Sequence, residues 1–268
     1  MQIGDSTTEI GDFDRVLASL TTLRLTGFYP FWTSQAYHGL IELRLVRGYL
    51  RPENALISED HLIGIIRASP ALRILQFSLT IVKALPAESL VSPISLEHLE
   101  LLNVAGTAPN GLGTLLRWVA PGSKPLQLAI DIGSDYDSGI AWLRLADSAV
   151  TSFFARSQVS KIYTAHGDYK TMFKLLDLCP RLKTLACSYI DTSKPRSNLP
   201  EQDGLFITHP ALESLFILKE SYSGNVIITI AYAPNHSALI TYDLTVGRGP
   251  DVQIINYDPT RDWEISAP

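Results

Sequence analysis

The apolar positions of this chain recur in a short phrase: Leu, two variable residues, Leu, one variable residue, then Leu or another apolar residue. It spans Leu20 to Leu25, Leu40 to Leu45, Leu72 to Phe77, Leu96 to Leu101, Leu182 to Cys187 and Leu212 to Ile217. Looser copies run from Pro125 to Ile130 and from Val159 to Thr164. Strand side chains alternate with a period of two, so the fourth and sixth residues share one face and the fifth points the other way. The pattern therefore predicts one short strand per phrase, with leucines inward and the fifth residue outward.

Between phrases the apolar spacing changes to a helical one. After Ser58, an N-cap residue followed by Glu59 and Asp60, Leu62, Ile63, Ile65 and Ile66 fall on one helical face. Pro70 ends that segment, because proline forces the residue before it into an extended conformation. Leu112 to Val119 repeats the design and stops at Pro121-Gly122. Tyr169 to Cys179 repeats it again and stops at Pro180. Ile140 to Phe154 reads as the longest helical stretch, whereas the interval from Leu20 to Leu40 holds an aromatic loop, Phe28, Tyr29, Phe31 and Trp32, in place of a helix. Such a phrase returning every 20–30 residues or so is the mark of a leucine-rich-repeat solenoid. The expected fold is α/β, with a parallel sheet on the concave side, helices on the convex side and stability arising from stacked neighbours. The predicted organisation is a lead-in over 1–15, a solenoid of about eight irregular coils over 16–218, and a β-rich cap over 219–268. The cap's strands are expected at 225–230, 238–246 and 252–257.

Composition narrows the function more than the fold. The 268 residues are 46% hydrophobic and only 18% charged, with a net charge of −5, against a usual charged share of about 25%. A mean charge of that sign offers no support for nucleic-acid or membrane-surface binding. Cys179 and Cys187 each sit inside a repeat and read as buried thiols rather than a disulfide. With no apolar leader and no apolar run of membrane-spanning length, an intracellular, monomeric protein is expected.

The candidate binding residues are those the phrase turns outward. The fifth positions read Arg24, Arg44, Gln76, Glu100, Ala129, Tyr163, Ala186 and Phe216. The third positions read Thr22, Glu42, Ile74, His98, Gln127, Lys161, Thr184 and Ser214. Arginine and aromatic side chains are the usual hot-spot types of protein interfaces. The expected protein-binding set is Arg24, Arg44, Gln76, His98, Glu100, Lys161, Tyr163 and Phe216. The aromatic loop near Phe28 reads as a plug for the first coil, with an exposed interaction loop as the alternative. No catalytic, cofactor or metal site is expected. The six histidines lack ligand spacing, and Asp131 to Gly139 resembles a calcium loop but lacks the twelfth-position glutamate. Gly111 and Gly113 open no phosphate-binding pattern. On this reading Leu99→Ala or Leu185→Ala destabilises strongly, while Arg44→Ala is nearly silent for folding.

The segment from Leu176 through Cys179-Pro180 to Leu185 resembles the leucine-rich-repeat region of F-box proteins, in particular the divergent fungal set. The stretches Ile66 to Leu75 and Pro93 to Leu101 look like coils of the same family. The resemblance covers most of 16–220 and implies that the repeats hold a protein substrate for ubiquitination. In that family an N-terminal F-box contacts the adaptor of a cullin–RING ligase. No Leu-Pro-x-Glu-Ile-type opening precedes Leu20, so the resemblance implies adaptor binding only through an F-box lying upstream. A ligase-independent interaction scaffold is the alternative, and a small-molecule or enzymatic domain a remote one.

Overall fold

The computed structural model describes residues 17, 19–48, 55–86, 89–107, 109–131, 148–191, 205–208, 211–218, 227–231, 240–243 and 252–255. The predicted lead-in over 1–15 lies outside them. The chain divides into two compact units, Met1–Lys124 and Pro125–Pro268. Both are α/β and both are built on parallel strands.

The first unit contains, in order, β1 (Thr22–Thr26), β2 (Glu42–Val46), β3 (Leu56–Ser58), helix α1 (Glu59–Ala68), β4 (Ile74–Phe77), β5 (Thr80–Val82), β6 (Ile94–Leu96), β7 (Leu101–Asn103), α2 (Pro109–Trp118) and β8 (Val119–Pro121). Strands β1, β2, β4 and β7 form a parallel ladder, and β3–β5 and β6–β8 form two short parallel pairs. The register aligns Leu23, Leu43, Leu75 and Leu102, then Leu25, Leu45 and Phe77. Leu43, Leu45, Leu75, Phe77 and Leu102 are wholly buried, each worth about 1.5–3 kcal/mol of transfer free energy. Leu40, Leu72 and Leu99, the first residues of their phrases, are buried with them.

That register corrects one phrase. Leu96 to Leu101 and Leu99 to Val104 both satisfy the Leu-x-x-Leu-x-apolar pattern, and the protein uses the second. Leu96 instead belongs to β6, paired with β8. A tight turn then carries Leu99 N–H onto the Leu96 carbonyl, as Leu72 N–H bonds to Ser69 and Leu182 N–H to Cys179. Leu99 is thus the equivalent of Leu72 and Leu182, three residues later than expected. A second backbone signature agrees. The Thr21 carbonyl accepts from Ile41 and Glu42 N–H, that of Ile41 from Arg73 and Ile74, and that of Arg73 from Glu100 and Leu101. Glu100 is therefore a second-position residue, and Asn103 is the fifth.

Helix α1 forms as its sequence dictates. The Ser58 hydroxyl accepts from His61 N–H, acidic Glu59 and Asp60 occupy the first turn, and Arg67 lies in the last. Its apolar face, Leu62, Ile63, Ile65 and Ile66, is buried. At the exit, Ser69 Oγ donates to the Tyr37 carbonyl at 2.9 Å and accepts from Leu40 N–H at 3.1 Å, tying the helix end to the preceding phrase. Helix α2 stops at Trp118, because Val119 to Pro121 is drawn into the β8 pairing.

The second unit contains β9 (Leu126–Ala129), α3 (Ser148–Arg156), β10 (Val159–Asp168), α4 (Tyr169–Leu178), β11 (Thr184–Asp191), β12 (Leu205–Thr208), β13 (Ser214–Leu218), β14 (Ile227–Ala231), β15 (Ile240–Asp243) and β16 (Val252–Ile255). Strands β9, β10, β11, β13 and β16 pair in parallel in that order. Leu128, Ile162 and Leu185 align, as do Thr164 and Cys187, all fully buried. The ladder continues past the predicted repeat boundary at 218, since β16 aligns Val252 with Leu215 and Gln253 with Phe216. Strands β12, β14 and β15 form a separate small sheet. Of the long helix expected over 140–154, the described part is α3; residues 140–147 lie outside the described residues.

Candidate protein-interaction face

The residues that could meet another molecule are those the ladders turn away from their leucines. In the first unit the fifth positions align as Arg24, Arg44, Gln76 and Asn103. The third positions align as Thr22, Glu42, Ile74 and Leu101. Their charges are organised around Glu42. Its carboxylate accepts from Arg24 Nε and Nη2 and from Arg44 Nε, and Arg44 reaches on to Gln76 Oε1 at 3.4 Å. Glu42 and Arg44 are mostly enclosed, while the Arg24 side chain is 57% exposed. Burial pushes the Glu42 carboxyl upward, but the hydrogen bonds and charges of the two arginines outweigh it, and its pKa lies below the ordinary value.

His98 and Glu100 do not lie on this strand face. His98 is exposed in the turn before β7. Glu100, a second-position residue, is held by Arg73 Nη2 at 3.0 Å and by Lys124 Nζ at 2.6 Å. Those cations lower its pKa against the upward push of partial burial. The slip of three residues accounts for both corrections, and it puts Asn103, whose Oδ1 accepts from Ala105 N–H, where Glu100 was expected. The signal for it was present in the sequence as the overlapping phrase.

In the second unit the expected face is assembled in register. Gln127, Lys161, Thr184 and Ser214 align at the third position, and Ala129, Tyr163, Ala186, Phe216 and Gln253 at the fifth. Small and large residues alternate along this row. Ala129 and Ala186 are buried, while Tyr163 and Phe216, on the two strands that flank Ala186, stay partly exposed. Sequence reasoning missed Gln253, which lies beyond the last phrase and joins the row only through the β13–β16 pairing.

The aromatic loop divides into rings that pack inward and rings that are exposed. Tyr29 and Trp32 stack at 5.3 Å and Trp32 meets buried Tyr37 at 5.6 Å, so these rings plug the first phrase. Phe28 and Phe31 point outward and are 77% and 89% exposed.

Buried thiols complete the picture. Cys187 lies inward on β11, and burial pushes its pKa up to about 12; Cys179 is likewise raised by burial. A hollow of about 440 Å³ is lined by the ends of α3 and α4, including Phe154, Arg156, Asp177 and Arg181. Among the described residues, no three His, Cys, Asp or Glu side chains gather as a metal site, and no helix is long and apolar enough to cross a membrane. Comparison of the chain with protein-family models, curated proteins and solved structures returned no match.

Proposed function

We propose that this chain is a leucine-rich-repeat solenoid that recognises a protein through the outward face of its strands, without a covalent step. The observation that carries this reading is the in-register separation of roles along each ladder. Leu43, Leu45, Leu75, Phe77, Leu128, Ile162 and Leu185 at positions four and six are buried, while Arg24, Arg44 and Gln76 in one unit and Tyr163 and Phe216 in the other occupy the opposite face. Where that face keeps Arg24, Tyr163 and Phe216 at least partly exposed it can meet a partner, and arginine and aromatic side chains carry most binding energy at protein interfaces. The resemblance to F-box-type repeats extends the proposal: the partner is a substrate brought to a cullin–RING ubiquitin ligase, in an intracellular setting.

Affinity capture of the gene's full product from cells, with mass spectrometry, tests both halves. Recovery of ligase adaptor together with other proteins lost on Tyr163→Ala and Phe216→Ala is the expected result. Partners without any ligase subunit would remove the ligase half and leave an interaction scaffold. Partners insensitive to every ladder-face substitution would end the reading.

A further inference from the structure

We draw no further inference here: the strongest candidate, the hollow between the C-terminal ends of α3 and α4, is lined by an Arg181 that already donates to Gln158 and an Arg156 that packs over Phe153, and nothing in the structure shows what would occupy it.

Discussion

Glu59 and Arg117 are 58 residues apart in the chain and form a buried ion pair between the start of α1 and the end of α2. The Glu59 side chain is fully enclosed and Arg117 nearly so. The carboxylate also accepts from the Trp118 indole N–H and from Leu85 N–H, and Arg117 donates to the Leu85 and Pro86 carbonyls. One acid thereby fixes two helices and the connection after β5. Trp118 is further enclosed by the Arg67 guanidinium, 5.8 Å from its ring centre. Helical spacing identified Glu59 as a first-turn acid, a role that leaves a side chain in water. Its burial follows from a pairing that only the packed unit creates.

Removing Glu59 leaves a guanidinium and an indole N–H enclosed without their acceptor. Glu59→Ala should cost about 3–5 kcal/mol by urea denaturation. Lys183→Ala, which breaks the exposed pair with Glu213, should leave the urea midpoint unchanged within error. Equal losses at the two sites would mean that Glu59 is hydrated.

The register of the fourth phrase gives a second test. Leu99→Ala and Leu102→Ala, both removing fully buried side chains, should each cost about 2–5 kcal/mol, with Leu185→Ala in the same range. His98→Ala, in the exposed turn, should cost about 0.5 kcal/mol or less. A large loss at His98 with a small one at Leu102 would restore the earlier alignment.

Arg44 is more enclosed than its expected place on an open strand face implied. It bonds a mostly enclosed carboxylate and is itself largely covered. Arg44→Ala should cost about 1.5–3 kcal/mol, as for loss of a hydrogen bond to a charged group. The double-mutant cycle with Glu42→Gln should show coupling between them; strict additivity would contradict the contact.

Acid should destabilise the first unit in a defined direction. Glu42 and Glu100 have folded pKa values below the ordinary 4.5. Around and below that pH the unfolded chain therefore binds more protons than the folded one. Their contribution is present above about pH 4.5 and is lost as pH falls through the depressed folded values. The urea midpoint measured stepwise downward from neutral pH should drop in that window. Arg73→Gln, which removes one cation from Glu100, should shrink the drop; an unchanged profile would place the acid sensitivity elsewhere.

The thiols offer a fifth check. With burial holding the Cys187 pKa near 12 against an ordinary 9.0, its thiolate is scarce at mildly alkaline pH. Labelling by a thiol-specific reagent should be slow in the native protein and fast in denaturant. Rapid native labelling of Cys187 would show that β11 opens readily.

Much of the fold was legible because the repeat is written in local terms. Leu23, Leu43 and Leu75 announce their strands by spacing alone, Ser58 announces the start of α1, and the alternation of faces follows from the pleat. The candidate face was legible to the same extent: Arg24, Arg44, Gln76, Lys161, Tyr163 and Phe216 occupy the positions their phrases predict. Where two copies of the phrase overlap, from Leu96 to Val104, spacing has two solutions. Backbone pairing with the Arg73 carbonyl selects one, because a shift along the strand would break the shared hydrogen-bond pattern of every neighbouring phrase. Tertiary structure alone decided that Glu59 is buried and that Gln253 joins the strand row. It likewise decided that Tyr29 and Trp32 turn inward while Phe28 and Phe31 turn out. Those outcomes depend on residues distant in sequence meeting in space, and a side-chain period records only which face a residue takes, never what will be packed against it.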